Sequence, residues 1–379
     1  MPHEKIFTNA ILVLADEALH GTIVVQGRTI ADVQPGRSHI AAAIDVSGDY
    51  LIPGIVDVHT DNLERQVQPR SLARWPSRSA MVAHDAQCAA AGVTTVLDAL
   101  CLGDLGFDAE RIQTFRDGVV DLESLTEAGL LKSDHFLHLR CEVPATDMLE
   151  LFDPVAAHPL IRMISLMDHS PGVGQYANID FYRKLRRQGG LDEATVERRI
   201  LEMQAHRARW RDPNRRALLD RVRGTTIALA SHDDRTEDEI AENAADGIRI
   251  SEFPVTMEAA LAAKRAGMQV IAGAPNIVRG GSHSGNVSAM DLLKADAVDA
   301  FASDYVPTSL VEAAFQCVRE DRASLPAAVA MISEHPARMA GLPDRGRLEA
   351  GLRADIARVR LHGPLPIVRQ VWRSGERVI

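Results

Sequence analysis

Aromatic side chains make up only 4% of the 379 residues, and cysteine occurs four times. The apolar load therefore falls on Ala, Val, Leu and Ile, the aliphatics that suit a buried parallel sheet with helices packed on it. Cys88, Cys101, Cys141 and Cys317 are scattered and form no CxxC pair, so they read as reduced core residues rather than a disulfide frame. No apolar run approaches the ~20 residues of a membrane span. The start, MPHEKIFTNA, lacks the apolar stretch of a signal peptide. A cytoplasmic chain without membrane contact is expected. Positive charge is also in deficit. The formal net charge is −10, which argues against a dedicated nucleic-acid partner.

What is present is an ordinary globular composition, 46% hydrophobic and 25% charged, which excludes intrinsic disorder. The first 50 residues read as short strands, Lys5 to Leu14, Gly21 to Arg28 and Thr29 to Val33. Ala354 to Leu361, Ile367 to Arg373 and Glu376 to Ile379 read likewise. Strand-rich ends around a long middle predict one small β-sandwich domain made by residues 1–50 and 354–379. The middle, residues 51–353, alternates strands with helices. Strands are expected at Leu51 to His59, Val93 to Leu100, His135 to Glu142, Met163 to His169, Thr225 to His232, Ile248 to Phe253, Gln269 to Ala274 and Ala300 to Asp304. Helices are expected at Ala80 to Ala91, Glu110 to Ala128, Thr236 to Ala245, Met257 to Ala266 and Ser309 to Glu320. Eight such units predict an α/β chain with a TIM-like (β/α)8 barrel; two or three small domains are the alternative at this length. The segment from Ser170 to Gly224 far exceeds a βα loop of about 2–6 residues. It is rich in arginine, Arg183, Arg186, Arg187, Arg198, Arg199, Arg207, Arg209, Arg211, Arg215 and Arg216 among them. It is either a lid or substrate wall, or a solvated helical hairpin laced by i, i+4 ion pairs.

Barrel chemistry gathers at the C-terminal ends of the strands. There the sequence places His59 and Asp61, Asp98, Glu142, Asp168 and His169, His232 with Asp233 and Asp234, Glu252, Asn276 and Asp304. Taken singly, each has an ordinary role: a histidine after a strand as a hydrogen-bonded core or surface residue, an aspartate as a helix N-cap. Jointly, imidazoles and carboxylates on one face suit a divalent ion. His59 and Asp61 share a face of an extended segment through their two-residue spacing. Such an ion acidifies water, and Asp304 is the candidate general base. After strand 7, the run Gly273 to Asn286 offers Asn276, Arg279, the Gly280 and Gly281 amides and His283 to phosphate oxygens; a flexible polar loop is the plainer account. Arg65 and Arg70, just beyond the His59–Asp61 pair, can meet an anionic substrate or simply face solvent.

The run Pro53 to Asp61, PGIVDVHTD, resembles the strand-1 signature of the amidohydrolase superfamily, with Asp61 where a His-x-His pair usually stands. HTDNLE, SAMVAHDAQ, GVTTVLDAL, HLRCE, SLMDHSPG, ASHDD, GAPNIVRGGSHSGN and ASDYVP together resemble the triphosphate diphosphatases of the carbon–phosphorus lyase pathway, over most of the chain. That resemblance implies hydrolysis of α-D-ribose 1-methylphosphonate 5-triphosphate to the 5-phosphate and pyrophosphate. It implies one or two divalent ions, zinc first with manganese or iron as alternatives. The metal and catalytic positions carried over are His59, Asp61, Glu142, His169, His232 and Asp304, with Glu142 or His169 bridging two ions. A homo-oligomer accords with the superfamily. Same-fold rivals are a deacetylase or cyclic amidase acting on a C–N bond. A non-catalytic pathway scaffold is the rival of another class.

Overall fold

The computed structural model describes residues 4–70, 73–105, 109–282 and 285–379. Five strands open the described chain: β1 (Glu4–Val13), β2 (Ala18–Gln26), β3 (Thr29–Pro35), β4 (Ile44–Asp45) and β5 (Tyr50–Pro53). Eight follow with helices between them: β6 (Ile55–Thr60), β7 (Val93–Leu102), β8 (Asp134–Glu142), β9 (Ile161–Met167), β10 (Ala228–His232), β11 (Ile250–Glu252), β12 (Gln269–Gly273) and β13 (Ala300–Ala302). The chain ends in β14 (Ile356–His362), β15 (Leu365–Arg373) and β16 (Glu376–Arg377).

Strands β6 to β13 lie side by side in chain order and pair in parallel. A bridge between Thr60 and Asp304 joins the last strand to the first. There the Asp304 amide donates to the His59 carbonyl at 3.0 Å and the Asp61 amide donates to the Asp304 carbonyl at 2.5 Å. The barrel is thus closed by the backbone of residues that sequence reasoning singled out for chemistry. Its interior holds Val56, Val58, Leu97, Met163, Ala230, Ile250, Ile271 and Ala300, all buried, with Ala337, Met339 and Leu342 packed against them. This layered aliphatic filling explains why so few aromatics suffice.

The termini build the second sheet, in the order β16-β15-β14-β5-β1-β2-β3 with β4 on β1. It curls on itself. Phe7 of β1 meets Trp372 of β15 edge-on, with centroids 4.7 Å apart, although β14 and β5 lie between those strands. Tyr50–Pro53 belongs to this sheet, pairing with β1 and β14. Gly54 is the elbow between it and the barrel: a side chain there would collide with Thr94 and with Asp355 Cβ, so only glycine passes without displacement.

The apolar run of β7 continues past Asp98 to Leu102, so Asp98 is mid-strand and not at the catalytic face. It belongs to a buried network. Asp98 accepts from His135 Nδ1 at 2.8 Å and from His84 Nε2 at 2.7 Å. His135 Nε2 donates on to Asp85 at 3.3 Å. The Asn62 amide nitrogen, which can only donate, lies 3.0 Å from His84 Nδ1, so the His84 ring carries its proton on Nε2. Residues of two distant motifs, SAMVAHDAQ and GVTTVLDAL, together with His135 of β8, are thereby fastened to Asn62, the neighbour of Asp61. Burial opposes charge on His135, but Asp98 and Asp85 outweigh it and raise its pKa to about 10. Burial likewise opposes ionisation of Asp98, and the two imidazoles hold it well below the usual carboxylate range.

Since the folded pKa of His135 exceeds its ordinary value of 6.5, its contribution is full below about pH 6.5 and is lost as pH rises through 10. The depressed Asp98 contributes above about pH 4 and loses its share on acidification. His135→Gln is expected to lower unfolding free energy by about 3–5 kcal/mol, because the Asp98 and Asp85 charges stay buried without their cation. Denaturant unfolding at pH 6 and pH 10 checks this: the deficit should shrink at the higher pH.

The long segment after β9 forms a helical hairpin, Ile179–Gln188 capped by the Asn178 side chain and Glu193–Val222 capped by Asp192. One i, i+4 pair, Arg198–Glu202, matches the solvated-hairpin alternative. Four arginines of the long helix instead reach the barrel. Arg207 meets Asp168 at 2.6 Å, Arg211 meets Glu242, Arg215 meets Asp246 and Asn243, and Arg221 meets Asp153. The long helix is therefore fastened down, and the short helix before it faces the catalytic end.

Candidate active site

A cavity of about 360 Å³ opens at the C-terminal ends of the strands. His59, the penultimate residue of β6, is buried, and its Nδ1 donates to Glu252 Oε1 at 2.8 Å. This leaves Nε2 toward the cavity, 3.5 Å from Asp61 Oδ1. His169 repeats the device: Nδ1 donates to Glu142 Oε2 at 2.7 Å, and Nε2 lies 3.7 Å from Asp233 Oδ2. A glutamate on one imidazole nitrogen, with the other turned to open space, is how metal-binding histidines are oriented.

His232, the last residue of β10, lies between them, its ring centroid 5.9 Å from that of His59 and 5.5 Å from that of His169. Both its nitrogens are buried without a hydrogen bond, as is Asp233 Oδ2; their approach of 3.2 Å lacks hydrogen-bond geometry. Orphaned buried polar atoms of this kind call for a ligand. Donor atoms come within 4.8 Å of one another in the trios His59–Asp61–Asp304 and His169–His232–Asp233. Mixed imidazole and carboxylate donors fit a divalent ion, and the two trios suffice for one ion or two.

Asp233, Phe253 and Asp304 all carry left-handed backbone, with φ of 57°, 53° and 57°. Each follows a strand, and each amide still donates across to the next strand, to Glu252, Ile271 and His59. The ladder gains one more bond while the chain turns sharply, which brings Asp233, Phe253 and Asp304 to the wall of the cavity. Such strain in non-glycine residues concentrates at functional sites.

The two carboxylates beside His59 are driven apart. Burial opposes charge on Asp61, but Arg140, donating to it at 2.7 Å, and His59 hold it well below the usual range. Asp304 has no such donor among the described residues; burial first, and then the Asp61 charge, push it up to about 6. One carboxyl stays ionised while the other exchanges a proton near neutrality, a division typical of acid–base sites.

The sequence profile of the amidohydrolase family matches residues 187–379. The chain is 41% identical over 377 residues to the alpha-D-ribose 1-methylphosphonate 5-triphosphate diphosphatase of Escherichia coli (strain K12), covering 98% of this chain and 100% of that protein. The chain belongs to the amidohydrolase family. The fold agrees. Molinate hydrolase superposes with a TM-score of 0.69 at 11% identity, covering 99% of this chain and 94% of its own. N-acetylglucosamine-6-phosphate deacetylase from Pasteurella multocida gives 0.64 at 13%, covering 99% of each chain. At such identities the likeness concerns the barrel and its companion sheet alone.

In this amidohydrolase, the cavity collects His59, Asp61, His169, His232, Asn276, Arg279, Gly281 and Asp304 from the sequence-based candidates. Glu142 stands behind His169, both of its oxygens engaged by that residue. Gly280 is the left-handed cap of the helix Ala274–Arg279, beside the lining Gly281. Asn276 straps the following loop, accepting from the Ala289 amide at 3.1 Å. Arg65 donates to the Tyr305 carbonyl at 2.7 Å and lies outside the lining. His283 lies outside the described residues. Sequence reasoning passed over Arg111, Arg140 and Tyr176, and named Arg186 only within the arginine-rich segment read as a lid, a substrate wall or a solvated hairpin; all four line the cavity. Arg140 was readable, since it stands two residues before Glu142 in a strand. Nothing in the sequence aims Arg111 or Arg186.

Among the described residues no helix is long and apolar enough to cross a membrane.

Proposed function

We propose that this amidohydrolase cleaves α-D-ribose 1-methylphosphonate 5-triphosphate to the 5-phosphate and pyrophosphate; its 41%-identical relative is named a diphosphatase of that triphosphate. One observation supports a highly charged anionic substrate above all. Four arginines line one cavity in a chain of net charge −10: Arg140 and Arg111, which pair with Asp61 and Glu64, and Arg186 and Arg279 besides. A neutral C–N substrate such as a cyclic amide does not require them.

His59, Asp61 and Asp304, with His169, His232 and Asp233, would hold the divalent ions, zinc first among the candidates and manganese or iron after it. When bound, such an ion supplies Lewis-acid charge and acidified water. The chain's own groups do the rest. Glu252 and Glu142 keep the His59 and His169 rings in one tautomer and orientation. Arg279 and the Gly281 region meet phosphoryl oxygens as charge builds during transfer. Asp304, at the barrel mouth between His59 and the cavity, accepts the proton of the attacking water. The water oxygen bonds to phosphorus, the anhydride P–O bond breaks, and pyrophosphate leaves with the electron pair.

Incubation of the purified protein with several triphosphates, an N-acetylated sugar phosphate and a cyclic amide separates the readings. Pyrophosphate release from a triphosphate is the expected product. Acetate or ammonia release with no pyrophosphate would replace this reading by that of a C–N hydrolase.

A further inference from the structure

We infer that His84 is a positioning residue, which through Asn62 holds the backbone that presents Asp61 to the ion of the His59–Asp61–Asp304 trio. The inference rests on the donor set proposed for the diphosphatase and adds to it what aims Asp61. Asp61 precedes the helix Asn62–Val67 in the N-cap position, where an aspartate usually bonds the first-turn amides. Its side chain makes no such bond. It turns instead to Arg140 at 2.7 Å and to His59 Nε2 at 3.5 Å. The helix is six residues long, far short of the roughly 12–15 that persist unaided. A helix so short, without a side-chain cap, needs another anchor if the residue before it is to stay in place.

Asn62 supplies that anchor. It is the first residue of the helix, and it is buried. Its Nδ2 donates to His84 Nδ1 at 3.0 Å and to Gln87 Oε1 at 3.2 Å, and its Oδ1 accepts from Gln66 Nε2 at 3.5 Å. His84 stands on the helix Ser77–Ala90 and is fully buried, so its partners set the ring. Its Nε2 donates to Asp98 at 2.7 Å, which leaves Nδ1 to accept from Asn62. With the proton on Nδ1, two donors would face each other. Asp98, in the middle of β7, therefore fixes the tautomer that Asn62 requires.

Asp61 is thus held from both sides. Its own amide donates to the Asp304 carbonyl, and the residue after it is tied by its side chain, through His84, to β7. Glu252 and Glu142 do the same service for the His59 and His169 rings. The motif SAMVAHDAQ contributes no residue to the cavity wall; the bond to Asn62 gives its histidine a part in the site.

The test is zinc affinity, read by chelator competition on the metal-free full-length protein, with denaturant unfolding and triphosphate turnover on the same preparations. Wild type is compared with Asn62→Leu, His84→Phe, their double variant, His84→Gln and His135→Gln. Asn62→Leu and His84→Phe are each expected to weaken zinc binding about 10- to 100-fold. The double variant should lose no more than the larger single effect, because both substitutions break one connection. His84→Gln, whose amide keeps a donor and an acceptor, should fall between these and wild type. His135→Gln removes a partner of Asp98 but leaves both His84 bonds, so it should lose stability and keep its zinc affinity. Asn62→Leu leaves Asp98 with both imidazoles and covers the case in which His84→Phe does not fold. Wild-type zinc affinity in a folded Asn62→Leu overturns the positioning role and leaves the diphosphatase reading standing. A loss of affinity that merely follows stability, His135→Gln included, overturns it likewise and makes His84 a residue of the fold alone. Weakened zinc binding in variants of a protein that releases pyrophosphate from no triphosphate retains the positioning role and rejects the diphosphatase reading instead.

Discussion

Asp304→Asn is expected to lower turnover about 10²- to 10⁴-fold, the usual worth of a positioned general base, with bound metal retained, because the asparagine carbonyl oxygen and the other donors of the two trios still hold it. The substitution keeps the shape, the left-handed turn that asparagine tolerates, and the two backbone bonds that close the barrel at His59 and Asp61. What it removes is the one carboxyl in the cavity that burial and the Asp61 charge push up to about 6. Asp61 cannot replace it, because Arg140 keeps that carboxylate ionised and engaged. Retained turnover in a metal-replete Asp304→Asn protein would remove the residue from its assigned role. Loss of metal along with turnover would make its part as a ligand, and not as a base, the dominant one.

The second large effect belongs to His232. Its two ring nitrogens are buried without hydrogen bonds, so in the metal-free chain it contributes little that a smaller residue would forfeit. His232→Ala is expected to abolish stoichiometric metal binding and to cut turnover by about 10³-fold or more, since the bound ion supplies several kcal/mol of charge stabilisation. Unfolding of the metal-free variant should stay within about 1–2 kcal/mol of metal-free wild type, with a small cavity term set against relief of the orphaned nitrogens. Metal analysis and denaturant titration on the same preparations read both quantities. A variant that binds metal normally would exclude His232 from the donor set.

The barrel was legible because its strands are aliphatic runs spaced by helical stretches, and because the chemistry-bearing residues stop those runs. His59, His232 and Asp304 each stand where an apolar strand gives way to polar loop. The same rule misplaced Asp98. A carboxylate within Leu97-Asp98-Ala99-Leu100 looked like a strand end, although the apolar run continues to Leu102. Only the His84 and His135 partners, brought from other elements, reveal it as a buried structural charge. The arginines show the complementary limit. Arg207, Arg211 and Arg215 recur every four residues, which identifies one helical face, yet nothing local says that this face meets Asp168, Glu242 and Asp246 on the barrel. Arg186 belongs to the same basic stretch and ends in the cavity, because its helix lies on the other arm of the hairpin. Side-chain destination depends on tertiary packing, which neither period nor composition encodes.

The central claim, that these residues make a metal-dependent, pyrophosphate-releasing hydrolase, is tested most directly by product stoichiometry. α-D-ribose 1-methylphosphonate 5-triphosphate is incubated with the full-length protein, and pyrophosphate, orthophosphate and bound metal are determined in one sample. The account predicts one pyrophosphate per substrate consumed, no accumulating orthophosphate, and a rate proportional to bound divalent ion. Stepwise release of orthophosphate, or turnover that survives removal of the metal, would contradict it.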